Sequence, residues 1–70
     1  MTDVDEFGTE FPDAIGRVAK RELAANGLTR YDQLRGVSRS ELLAIHGIGP
    51  KAVRILGDDL ARRGASFTDD

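Results

Sequence analysis

The sequence predicts an all-α fold, a compact bundle of four to five short helices, on three observations. Apolar residues recur at helical spacing wherever a period is clear, and no segment alternates like a strand. Glycine, proline and capping residues punctuate the chain too often for any long helix. The 70 residues suffice for a single domain. A chain this short buries about 60% of the surface its unfolded form exposes, so the core is small.

Residues 1–10 show no periodicity and carry Gly8 with Asp3, Asp5, Glu6 and Glu10, which predicts a flexible acidic N-terminal tail. The domain proper is expected over residues 11–67, with Phe11 the first anchored side chain. Pro12 suits a first helical position and Asp13 the positive end of a helix dipole. A helix is predicted over 12–26, with Ile15, Val18, Ala19 and Leu23 inward and Arg17, Lys20, Arg21 and Ala24 mostly toward solvent. Asn26-Gly27 stops it, because glycine accepts the left-handed conformation that ends helices.

Thr29 is the expected cap of a short helix over 30–35 that turns Tyr31 and Leu34 inward, and Gly36 ends it. Ser38 followed by Glu41 is a capping-box pattern, opening a helix over 39–45 with apolar Leu42, Leu43 and Ile45. Pro50 starts the last helix, over 50–63, in the one region where a missing N–H costs nothing. Ala52, Val53, Leu56 and Leu60 form its inner side, Arg62 and Arg63 suit its negative end, and Gly64 caps it. Phe67 is placed to fold back over the core, and residues 68–70 form an acidic C-terminal tail.

Charge is segregated along the chain. The net charge is −2, yet all ten Lys and Arg lie between residues 14 and 68 against five acids, leaving five positive charges on the body. The seven acids at the two ends face no base, so the body is expected to carry a basic face. No cysteine is present to form a disulfide or a thiolate zinc site. An acidic N-terminus is not a secretory signal, and no apolar run approaches the roughly 20 residues that span a bilayer. The expectation is a cytoplasmic protein without membrane contact, cofactor, metal or small-molecule substrate. Asp58 and Asp59 are adjacent on a helix and diverge by about 100°, so they read as solvated and not as a metal pair. His46, the sole histidine, has no nucleophile or second base beside it in sequence. A catalytic role is therefore not expected, and capping of the preceding helix is.

Residues 42–56, L-L-A-I-H-G-I-G-P-K-A-V-R-I-L, carry the functional signal. One helix must end, reverse within about three residues and let another begin. Gly47 can supply the positive φ for the reversal, Ile48 can close the seam, and Gly49 leaves its backbone flush with the surface. The first N–H groups of a helix lack intrahelical partners and carry the positive end of the dipole, so they suit a phosphate. Lys51 stands beside this mouth, and Arg54 is one turn further on.

This stretch resembles the helix-hairpin-helix motif through Leu42, Ile45, Gly47, Ile48, Gly49, Lys51, Ala52 and Val53, with His46 where the consensus allows an apolar residue. Residues 15–67 more widely resemble the C-terminal domain of the bacterial RNA polymerase alpha subunit, and Gly27 to Gly64 align without a gap. The resemblance implies a SAM-like helical fold that grips the duplex DNA backbone, as a free-standing relative, since the subunit's assembly domain is missing. It implies contacts at Gly49 and Lys51, with Ala52 replacing a family serine. With the hairpin amides and the position of Arg54 added, the candidate nucleic-acid-binding residues are Gly47, Ile48, Gly49, Lys51, Ala52 and Arg54, with Arg17 and Arg21. The family's central DNA-contacting arginine falls opposite Val18, with Arg17 and Arg21 close by. Together these predict a non-catalytic, largely sequence-independent DNA-binding module. The alternative is a protein–protein interaction module of a transcription or repair complex.

Overall fold

The computed structural model describes residues 8–69. Four α-helices follow a short 3-10 helix at Asp13–Ile15: α1 Arg17–Ala25, α2 Tyr31–Leu34, α3 Arg39–Leu43 and α4 Pro50–Arg62. No strand occurs among the described residues. One core joins them all. Leu23 of α1, Leu34 of α2, Leu42 of α3 and Leu56 and Leu60 of α4 are fully buried, with Phe11 and Phe67 closing the core from the flanking segments. No helix among the described residues is long and apolar enough to cross a membrane.

The helix expected over 12–26 is split. Gly16 takes φ 95° and ψ 151°, outside helical space, and divides the 3-10 helix from α1. The break strands no backbone group at this point, because Gly16 N–H donates to Asp13 C=O at 2.9 Å and Lys20 N–H to Gly16 C=O at 3.1 Å. It does re-aim α1. Val18, expected inside, is 46% exposed, and Lys20, expected in solvent, is 6% exposed. Lys20 Nζ donates to Asp13 Oδ1 at 2.5 Å, so the ammonium leaves the core at the open end of the preceding turn. Ala19 and Leu23 keep their inward places.

The helix ends follow local chemistry. Leu28 N–H reaches back to Leu23 C=O and Gly27 N–H to Ala24 C=O, with Gly27 at φ 78°. Ala65 and Gly64 repeat the pattern on Leu60 and Ala61 at the end of α4. Both are Schellman closures, which satisfy carbonyls the helix leaves open. At α3, Glu41 N–H donates to Ser38 Oγ at 3.0 Å and Ser38 N–H to Glu41 Oε1 at 2.8 Å, completing the capping box. At α2 the expected Thr29 cap is replaced. Gln33 Oε1 accepts from both Thr29 N–H and Arg30 N–H, because a carboxamide one turn inside reaches two donors at once.

Flanking segments are tied to the body. Glu10 N–H donates to Thr29 C=O at 2.8 Å, and Glu10 Oε1 accepts from Tyr31 N–H at 3.1 Å. Thr68 N–H donates to Val37 C=O at 3.0 Å, and Asp69 Oδ1 accepts from Arg39 N–H at 2.9 Å. Residues 9, 10, 68 and 69, expected in the acidic tails, are thus hydrogen-bonded to the segments that lead into α2 and α3 and to the first residues of those helices. The rest of those tails, residues 1–7 and Asp70, lies outside the described residues apart from Gly8.

Candidate functional site

The turn between α3 and α4 is built by four residues with separate tasks. Ile45 N–H donates to Leu42 C=O and Ile48 N–H to Ile45 C=O, winding the chain up after α3. Gly47 supplies the reversal at φ 88°. The Ile48 side chain is 6% exposed and joins the core between α3 and α4. Gly49 is extended, at φ −106° and ψ 175°, and sets Pro50 as the first residue of α4.

The backbone donors sort themselves accordingly. Of the amides expected over 47–51, Pro50 has none and Ile48 donates to Ile45, so Ile48 contributes packing and no donor to a ligand. The N–H groups of Gly47, Gly49 and Lys51, and that of Ala52 in the same first turn, have no acceptor among the described residues. Ala52 as a whole is buried, so its methyl packs in the core and only its N–H is left to a ligand. Nothing stands within 4 Å of where a Cβ on Gly49 would be, and Gly47, Pro50 and Lys51 are exposed. The mouth of α4 is therefore open to solvent. It combines unpaired donors, the positive end of a 13-residue helix and the Lys51 ammonium. Lys51 and Arg54 are both exposed, and neither is in a salt bridge among the described residues.

Helix α1 stands against this turn. A Cβ on Gly47 would lie 2.8 Å from Val18 Cγ1 and 3.0 Å from Glu22 Cγ. Arg17 and Arg21 each precede one of these contact residues on α1, and both are exposed. Arg21 Nε lies 3.5 Å from Glu22 Oε2. The fold thus sets Val18 and Glu22 of α1 against Gly47, with Gly49, Lys51 and Ala52 following along the chain and Arg54 one turn along α4. Arg17 and Arg21 adjoin the two contact residues in sequence. Sequence reasoning counted Glu22 only as one more acid. The available signal was Gly47 itself, since a glycine in a reversal leaves room for a neighbour on the missing Cβ.

Other candidates resolve differently. His46 is exposed in the turn, and Ala44 takes the C-cap position of α3. Asp58 is exposed, but Asp59, also expected in solvent, accepts from Tyr31 Oη at 2.6 Å and from the Arg62 guanidinium. Burial, then the Asp59 hydrogen bond, hold the Tyr31 phenol protonated well above its ordinary range. A groove of about 310 Å³ lies beside this network, lined by Glu10, Tyr31, Asp32, Arg35, Leu60, Arg63 and Ala65. Its two acids and two arginines balance, so it favours neither sign of ligand. No cluster of His, Cys, Asp and Glu among the described residues is arranged to hold a metal ion. Comparison with known protein families, curated proteins and solved structures found no significant match to the chain.

Proposed function

We propose that the chain is a non-catalytic, weakly selective DNA-binding module of the helix-hairpin-helix kind, holding the duplex backbone at the mouth of α4. One observation carries the reading. The N–H groups of Gly49, Lys51 and Ala52 are unpaired at the open end of α4, with an unpaired Lys51 beside them. Such a mouth suits a phosphate and reads no base, because it meets only the sugar–phosphate chain. Lys51 and Arg54 flank it on α4, and Arg17 and Arg21 supply the facing rim on α1. The likeness to the RNA polymerase alpha C-terminal domain supports the same surface, and Val18 in place of that family's arginine favours backbone holding over sequence selection.

With about three phosphate contacts, the log–log salt slope should be near −3 and Kd in the non-specific range of about 10⁻⁴ to 10⁻⁶ M. Fluorescence anisotropy with a short duplex at two salt concentrations measures both. Binding insensitive to salt, or untouched by Lys51→Glu, rejects the proposal. A second reading, docking to a protein partner, draws on the exposure of Val18 at 46% and Leu43 at 45%. Capture of a partner that survives nuclease treatment and is lost in Leu43→Glu, with no duplex affinity, supports that reading instead.

A further inference from the structure

We propose that Glu22 regulates the strength of phosphate binding at the turn by competing for Arg21. The inference rests on the reading above and adds what limits it. Glu22 reaches the site from α1, with its Cβ and Cγ 3.9 and 3.0 Å from where a Cβ on Gly47 would stand. Its side chain is 24% exposed, so the stem is wedged against the turn and the carboxylate stays at the rim. Glu22 Oε2 is 3.5 Å from both Nε and Nη2 of Arg21, whose side chain is 55% exposed. Two consequences follow from charge alone. A negative group stands beside the seat of a negative ligand and repels it. The Arg21 guanidinium is engaged, so an incoming phosphate must draw it away from Glu22 before gaining its charge. Lys51 and Arg54 have no such partner among the described residues.

The test measures anisotropy with a short DNA duplex for the native chain, Glu22→Gln, Arg21→Gln and the double variant. Glutamine keeps the length and shape of the stem on Gly47, and circular dichroism checks the fold. Glu22→Gln should bind about five- to tenfold more tightly at ~50 mM salt, as the repulsion is removed. Its salt slope should steepen by about one as Arg21 joins the phosphate contacts. Arg21→Gln should weaken duplex binding in both backgrounds, and by more in the Glu22→Gln background where the guanidinium is released, the signature of a coupled pair. Glu22→Ala, which also removes the stem, should tighten binding in the same direction. The proposal is overturned when the native chain binds, loses affinity on Lys51→Glu, and yet gains nothing from either Glu22 variant. Absence of salt-sensitive binding in every variant overturns the phosphate reading and this inference together.

Discussion

Gly47 and Gly49 sit two positions apart and answer to different constraints. Gly47 needs both its positive φ of 88° and its missing Cβ, since an added methyl meets Val18 Cγ1 at 2.8 Å. Gly47→Ala should cost about 2–3 kcal/mol, from backbone strain plus displacement of Val18. Val18→Ala should recover part of that loss, and urea denaturation of both variants measures it. Gly49 has an ordinary φ of −106° and open space around it. Gly49→Ala should therefore cost less than about 1 kcal/mol of stability at this N-cap position, yet weaken duplex binding by putting a methyl in the seat. Equal losses of stability for the two substitutions would contradict this division. Tyr31 offers a test by pH. Burial and the 2.6 Å bond to Asp59 raise its pKa in the folded chain, so the fold retains a proton that the unfolded chain releases near pH 10. Stability is undiminished by this group below pH 10 and falls as pH rises above it. Tyr31→Phe should cost about 1–2 kcal/mol at neutral pH through the lost bond. It should also flatten the alkaline decline, which thermal melts between pH 8 and pH 11 would record.

At the scale of elements, whatever signals through its own neighbours was legible. The Ser38–Glu41 box, Pro50 at the start of α4 and the Gly27 and Gly64 closures act within about five residues, and the structure has them where the sequence put them. The turn at 46–49 was legible for the same reason. The break at Gly16 was not, because Ile15, Val18, Ala19 and Leu23 keep a helical period straight across it. Once the chain kinks there, the inward face of α1 is set by tertiary packing around the core, and Val18 exchanges sides with Lys20. Glu22 at the turn and Asp59 under Tyr31 were hidden likewise, since both depend on how helices meet. The C-terminal segment is an element of this second kind. Phe67 is 1% exposed, with the Arg39 guanidinium over its ring at 5.1 Å, and residues 68 and 69 bond to Val37 and Arg39 on either side. Phe67→Ala should cost about 3–4 kcal/mol, a large part of what a small domain has. Asp69→Ala, at an exposed bond, should cost no more than about 1 kcal/mol. Urea midpoints that moved alike for the two would show that the aromatic anchor does not dominate this segment.

Over the whole molecule, the sign of the charge opposes the proposed ligand while its distribution favours it. A net charge of −2 slows the approach of DNA, whereas the basic body beneath is what a phosphate meets at contact. These two effects separate by range. The contact contribution belongs to Lys51 and its neighbours and persists at short distance, whereas repulsion from acids outside the site acts through solvent and is screened by salt. Asp3, Asp5 and Glu6 provide a handle, since none of them belongs to the proposed site. Replacing them with Asn, Asn and Gln removes three negative charges and moves the net charge from −2 to +1. Affinity for a short duplex should rise about two- to fivefold at ~50 mM salt. The gain should fade toward about 0.3 M salt, where the screening length is roughly half its value of ~10 Å at 0.1 M. Amide shifts on titration should still begin at residues 47–52, because the seat itself is unchanged. A gain that survives high salt would instead mean that these acids occupy the seat directly, and no gain at any salt would mean that the ends of the chain do not sense the ligand at all.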